Sequence, residues 1–438
     1  LARCLKPPAL KLLTALLLLA GFRASGQVYT RYLTGDSADV VVTPSFGVLL
    51  AGGAGDSDPA MTWFLEKANG GDILVLRASG ADGYNDYFFS DLGVTVNSVE
   101  TIVCHTAASG SDPYVVGRIS EAEAIFFAGG DQADYLNFWK DKPAETALNN
   151  HINVKGGAVG GTSAGMAILG GHYFSADNGT VFSQEALENP YNTYMTLGHW
   201  DMLQVPYLND VICDTHYNDP DRKGRHMAFL ARIISDGYPQ ALGIACNEYV
   251  AVVFDEDGLA QAYGEYPDYD DHAWFLRHGC ENPWTPEICL PAQPLTWERN
   301  QTALYVFRMD ATAGADNSFD LSDWASASGG NWQEWYVQAG VLTTNEVSFG
   351  PQCPLNPVTG LLENPRENGW SIAPNPVSDQ LRITGHTGDL ALYDILGNRL
   401  MLPAAPYAKG LIVDTSALAP GTYLACAPGK TPLVFVRQ

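Results

Sequence analysis

The chain has 438 residues, of which 46% are hydrophobic and 17% charged, so it is globular and long enough for more than one folded unit. Its formal net charge of -25 would repel a phosphate backbone, which argues against a nucleic-acid partner.

In chain order the first element is a basic start (Arg3, Lys6), a short apolar run "KLLTALLLLAGF" and small residues before Gln27. This is the pattern of a secretory signal peptide over 1–26, and the run is too short for a stable membrane span. Export through the periplasm, to the cell surface or the medium, is the expectation. Leaving with the leader, Arg3, Lys6, Lys11 and Arg23 make the remainder more acidic still.

Next come "GVLL", "DILVL", "VETIVCH", "AIFF" and "GGAVGGT", continuous apolar runs alternating with helical patterns such as "DQADYLNFWK". Strands of that kind are covered on both faces, and the alternation predicts an α/β three-layer sandwich with a mostly parallel sheet. Ligands of such sheets gather at the carboxyl ends of the strands, where the glycine pairs Gly129-Gly130 and Gly160-Gly161 fall. This domain is expected over 27–308. A Ser/Gly/Asn/Trp-rich extension and a linker marked by Pro351, Pro354, Pro357 and Pro365 follow over 309–365. From 366 to 438, short alternating strands broken by Gly, Pro and Asn predict a small all-β sandwich module.

Gly161-Thr162-Ser163-Ala164-Gly165 fits G-x-S-x-G, a nucleophile elbow between strand and helix. The glycines let the backbone turn sharply, and the helix that begins at Ala164 aims free N–H groups at the place where an oxyanion would form. A serine needs a base, and His216, after the apolar strand Val211-Ile212-Cys213, can face the same crevice; His172 and His199 are rivals. Glu185, Glu188 and Glu248 are candidates for the group that orients the base. This chemistry requires no metal and no cofactor. The stretch "YPDYDDHAWFLRH" could bind a cation, although a solvated loop explains it as well.

"LLAGGAGDSD", "AIFFAGGDQ", "GGTSAGMA", "DTHYNDPDRKGRHMAFLARI" and "ALGIACNEYVAVV" together resemble the cyanophycinase and dipeptidase E family of serine peptidases, over Val41 to Gly264. The resemblance implies a fold related to class I glutamine amidotransferases, with serine replacing cysteine. It also implies cleavage at aspartyl residues, including the β-Asp-Arg units of cyanophycin. It assigns Ser163 as nucleophile, His216 as base, Glu185 (with Glu188 second) as orienting acid, and Gly130 and Ala164 as oxyanion donors. It assigns Gln132, Arg222 and Arg225 to the substrate. Thr215, Pro220 and Asn247 depart from the family pattern, which puts cyanophycin itself in question. A catalytically silent binding protein and a small-molecule amidase or esterase use the same fold, and a homodimer is compatible with it.

In the tail, "PNP" (Pro374 to Pro376), "LYDILGNRL" and "LAPGTYLA" resemble the type A C-terminal sorting domain of the type IX secretion system, which makes that machinery the expected partner; a carbohydrate-binding or adhesive module is the alternative. Seven cysteines follow the leader, without a CxxC spacing, and Cys280 with Cys289 is the expected disulfide.

Overall fold

The computed structural model describes residues 27–355 continuously, then 371–373, 380–384, 390–394, 399–400, 402–407, 410–426 and 433–437. The leader, the stretch 356–370 and the "PNP" motif lie outside the described residues. No helix among the described residues is long and apolar enough to cross a membrane.

The strands are β1 (Tyr29–Gly35), β2 (Val48–Ala51), β3 (Asp72–Arg77), β4 (Ser98–Cys104), β5 (Ala124–Phe127), β6 (Ala158–Thr162), β7 (His172–Phe174), β8 (Leu197–His199), β9 (Val211–Asp214), β10 (Leu242–Cys246), β11 (Ala251–Phe254), β12 (Leu259–Tyr263), β13 (His272–His278), β14 (Leu304–Asp310), β15 (Ser318–Asp320), β16 (Ala327–Ser328), β17 (Gly330–Gln338) and β18 (Val341–Val347). The helices that matter below are α1 (Asp58–Glu66), α2 (Pro113–Glu121), α3 (Gln132–Trp139), α4 (Pro143–Asn150), α5 (Ala164–Ala167), α6 (Ser183–Glu188) and α7 (Lys223–Ser235).

Two sheets carry the α/β part. The first has the order β1-β4-β3-β5-β6-β2-β11-β12-β15-β16, and its centre, β4-β3-β5-β6-β2, is parallel. The second has the order β18-β17-β14-β13-β10-β9-β7-β8, parallel only at β10-β9-β7. Apolar residues explain why both faces of the first sheet are covered. Val48 and Leu50 point to one core and Leu49 and Ala51 to another, as side chains alternate along a strand. The Leu49 side packs on α1 through Ala60, Met61 and Phe64. The Leu50 side meets α2 to α5 and reaches Val211, Cys213 and Ile244 of the second sheet. The far face of that sheet is sealed by α7 through Met227, Leu230 and Ile234.

The boundary expected at 308 falls inside β14, and β17 and β18 continue the sheet that holds β9 and β10. The stretch after 308 is therefore built into the α/β unit, with β17 and β18 in the second sheet and β15 and β16 at the edge of the first. Among the described residues the tail forms two four-stranded antiparallel sheets, Ser371–Ala373 with Gln380–Thr384, Gly410–Asp414 and Ala404–Tyr407, and Arg399–Leu400 with Ala391–Asp394, Gly421–Cys426 and Leu433–Arg437. They enclose Leu381, Ile383, Leu392, Val413, Tyr423 and Phe435. This is an all-β module, as the turn-rich alternation predicts.

The disulfide joins Cys280 to Cys353, not to Cys289. Cys289 lies buried with Leu295 and Trp297, and burial pushes its thiol above the usual range. The antiparallel run β13-β14-β17-β18 brings position 353 back beside the end of β13, a proximity invisible to local spacing. Among the described residues Cys104, Cys213, Cys246, Cys289 and Cys426 are free thiols.

Three histidines are packed as neutral rings. Burial pushes His151 and His226 down to about 4 and His172 down to about 3. The unfolded chain accepts protons on these rings near pH 6.5, whereas the folded one refuses them. Their contribution to stability is complete above that value and is lost as the pH falls toward 4. The urea midpoint is therefore expected to drop between pH 7.5 and 4.5, with the slope reduced by up to one proton in His151→Gln. A midpoint flat across this window would contradict the assignment.

Candidate active site

The site lies on the seam where the carboxyl ends of the two sheets meet. Backbone bonds stitch it: Gly52 N–H to Val250 O (2.8 Å), His216 N–H to Gly52 O (2.8 Å), Tyr217 N–H to Cys246 O (3.1 Å) and Tyr249 N–H to Gly53 O (3.0 Å). Ser163 sits between β6 and α5 with φ 55° and ψ -119°, a region that a residue with a Cβ enters only at a cost. The flanking glycines make the elbow possible. A Cβ on Gly161 would lie 2.4 Å from Gly165 C, and one on Gly165 would lie 2.1 Å from Phe127 O.

Ser163 Oγ lies 2.8 Å from His216 Nε2, and His216 Nδ1 lies 2.6 Å from Glu248 Oε1. The carboxylate accepts the Nδ1 proton, which leaves the Nε2 lone pair to accept from the serine hydroxyl. All three side chains are half-buried, so the chain of bonds is open to solvent on one side. His216 also has a positive φ of 46°. The Glu248 N–H donates to Asn218 Oδ1 at 2.9 Å, which ties the acid's backbone to the histidine loop.

Glu185 does not reach the imidazole. It stands in the first turn of α6, and its carboxylate accepts the Phe182 N–H at 3.0 Å, a helix-start bond. Glu188 accepts from Gln184 at 2.7 Å. Glu248, the remaining candidate, takes the position because it follows β10, the parallel neighbour of β9, and His216 lies two residues beyond the end of β9. The rivals His172 and His199 bond each other at 2.9 Å.

Gly130 follows β5 and Ala164 opens α5, and neither N–H has a protein acceptor among the described residues. A Cβ on the adjacent Gly129 would lie 3.6 Å from Ser163 Cβ, so this loop passes directly beside the serine. Gln132 opens α3 and donates to Phe174 O at 3.3 Å. Arg225 is not available to a substrate. It is 4% exposed, and its guanidinium grips Asp214 through Nε and Nη2. Burial works against the Asp214 carboxylate, but the Arg225 charge and hydrogen bonds outweigh it and hold its pKa below the usual range. Arg222 donates to Thr215 O at 2.9 Å and lies 4.0 Å from Asp214, so it braces the histidine loop. In the acidic stretch, His272 bonds Asp270 and Asp271 accepts the Glu265 N–H.

Two glycines of the site carried no role in the sequence reading. A Cβ on Gly53 would lie 2.5 Å from His216 Nε2, and one on Gly52 would lie 2.0 Å from Asn247 O. A glycine doublet after a parallel strand was the visible signal.

Residues 82–261 match peptidase family S51. The matched stretch contains Ser163, His216 and Glu248. A cyanophycinase of Synechococcus elongatus is 27% identical over 230 residues, 50% of this chain and 65% of that protein. A cyanophycinase of Geminocystis herdmanii (strain PCC 6308) is 24% identical over 229 residues, 50% of this chain and 77% of that one. The chain thus spans 65% of the length of the first of these relatives. Among solved structures, a peptidase from an acI-B1 Actinobacterium overlays with a TM-score of 0.38 at 14% identity, over 53% of this chain and 94% of that one.

The S51 stretch makes a sharp mutational contrast. Glu248→Gln is expected to slow hydrolysis of an activated ester such as p-nitrophenyl acetate by roughly a thousandfold or more, because the imidazole loses its orienting acceptor. Glu185→Gln should leave the rate within about threefold and stability nearly unchanged, since the amide oxygen can still accept the Phe182 N–H. Gly53→Ala should resemble loss of the histidine. Equal, mild effects at 248 and 185 would contradict this assignment.

Proposed function

We propose that the chain is a secreted serine-type peptidase, similar to cyanophycinase, that hydrolyses peptide bonds at aspartyl or β-aspartyl residues. The observation that carries this reading is the bonded series Ser163, His216, Glu248 on a strained elbow inside the S51-matching stretch.

In this reading Ser163 Oγ attacks the scissile carbonyl and passes its proton to His216 Nε2. Glu248 stabilises the imidazolium. The N–H groups of Gly130 and Ala164 hold the tetrahedral oxyanion, an effect worth about 3–4 kcal/mol per donor in comparable sites. His216 then protonates the leaving amine, and water repeats the sequence on the acyl-enzyme. The leader over 1–26 and the tail over 366–438 assign the enzyme to export, the tail serving as a sorting address read by the type IX machinery. Thr215 and Pro220 stand where the family pattern has an amide and a cation, which favours short soluble aspartyl peptides over insoluble cyanophycin.

The test is a panel of α- and β-aspartyl dipeptides and cyanophycin granules on purified protein. Aspartyl dipeptides should be cut faster than granules, and Ser163→Ala should remove at least about 99% of the rate. Retention of more than about a tenth of the rate in that variant would overturn the nucleophile.

A further inference from the structure

A peptidase that selects an acidic residue needs a cation beside its scissile bond, and Arg222 and Arg225 are committed to Asp214 and the histidine loop. Arg77 stands elsewhere on the same rim. It is the last residue of β3, which is parallel to β5 and, through it, to β6, with Leu76 level with Phe127 and Phe127 level with Gly161. The carboxyl end of β3 therefore opens on the same edge as Gly130 and Ser163. It lies about 5 Å from the oxyanion loop and about 10 Å from the elbow, one and two strand spacings.

The chain has 49 acidic and 24 basic residues, so an arginine without an acidic partner is unusual. Arg77 has none among the described residues. Its Nε donates to Ser79 O and its Nη1 to Ala81 O (2.8 Å), both backbone carbonyls of its own loop. Nη2 has no acceptor among the described residues. Its position is set by Gly80, where a Cβ would lie 2.3 Å from Nη2 and φ is 88°.

The surroundings lead to the oxyanion loop. The Tyr135 hydroxyl, within electrostatic reach of Arg77, donates to Ala128 O (2.7 Å) and lies 3.1 Å from Gly129 O. A Cβ built on Gly130 would lie 2.9 Å from that hydroxyl and 3.9 Å from Ser79 Oγ. Arg77, Ser79 and Gly130 thus form one continuous rim over the buried Tyr135, with Ser79 and Gly130 exposed and Arg77 half-buried.

Resting on the peptidase reading, we propose that Arg77 is the specificity cation of this site: its free Nη2 edge receives the carboxylate of the residue whose carbonyl is attacked by Ser163. A carbonyl lodged between Ser163 and the Gly130 N–H lies over β5, one strand from the guanidinium. The side-chain carboxylate of that residue spans the remaining distance, with Ser79 Oγ as a neutral second donor. One unpaired guanidinium with a single open edge matches one carboxylate, and the negative field of the chain disfavours a polyanion.

The experiment separates binding from cleavage by calorimetric titration of Asp-Leu and Asn-Leu into Ser163→Ala protein, alone and combined with Arg77→Gln, Arg77→Lys or Gly80→Ala. Asp-Leu should bind at least about tenfold more tightly than Asn-Leu to the parent, a preference of about 1.4 kcal/mol. Arg77→Gln should erase it to within about twofold, and Gly80→Ala, which keeps the charge but displaces Nη2, should reduce it at least about fivefold. Arg77→Lys should keep only part of it, since an ammonium on a flexible stem cannot make both the loop bonds to Ser79 O and Ala81 O and the ligand contact. Preference that depends on Arg77 in protein whose wild type cuts neither peptide would support this assignment while failing the peptidase reading. Absence of a preference in the parent, its survival in Arg77→Gln and Gly80→Ala, or equal weakening of both peptides would overturn the assignment.

Discussion

The backbone of Ser163 is the constraint on which the site depends. With φ at 55° and ψ at -119°, it occupies a conformation that costs of the order of 1–3 kcal/mol. It persists because neighbours on several sides over-determine it. The Ser163 N–H donates to Ala51 O at 3.0 Å, its carbonyl accepts the Ala167 N–H at 3.0 Å, and Gly161 and Gly165 close on each other and on Phe127. The strain leaves the hydroxyl standing off the strand end, beside a helix start with a free N–H. In the proposed reading, the same geometry supplies the nucleophile and one oxyanion donor.

The second requirement is registry between two sheets. Ser163 belongs to the first sheet, whereas His216 and Glu248 follow β9 and β10 of the second. A shift of 1 Å between them would break a 2.8 Å bond. The seam prevents this with backbone bonds, which tolerate no side-chain rearrangement, and with glycines that let His216 approach β2. The buried Arg225–Asp214 pair supports the arrangement from below. Asp214 is the last residue of β9, two positions before His216, and Arg225 ties it to α7 and to Thr180 and Val181. Removal of either partner would strand a buried charge, at a cost of about 3–5 kcal/mol.

The elbow was legible in the sequence because it is local: two glycines and a serine at a strand-to-helix switch have few other physical uses. His216 was legible from its place after an apolar strand. Glu248 carries the same signal, directly after "ALGIAC", whereas the family resemblance points to Glu185 and Glu188. Glu185 instead does the ordinary work of an acid in a first helical turn. For Arg225 the sequence shows a charge but not its burial, and its partner lies eleven positions upstream across a turn. The division of the strands into two sheets and the Cys280–Cys353 link were beyond reach for the same reason. Both depend on which strands become neighbours after long excursions, and hydrophobic period reports only which faces are covered.

The central claim is that one serine, activated through one histidine, is primed by this seam. Phosphonylation by a fluorophosphonate, followed by intact mass and peptide mapping, addresses it without any knowledge of the substrate. The account predicts a single adduct on Ser163, formed at least about a hundredfold more slowly in His216→Ala. No adduct, or adducts at other serines at a rate indifferent to His216, would contradict it.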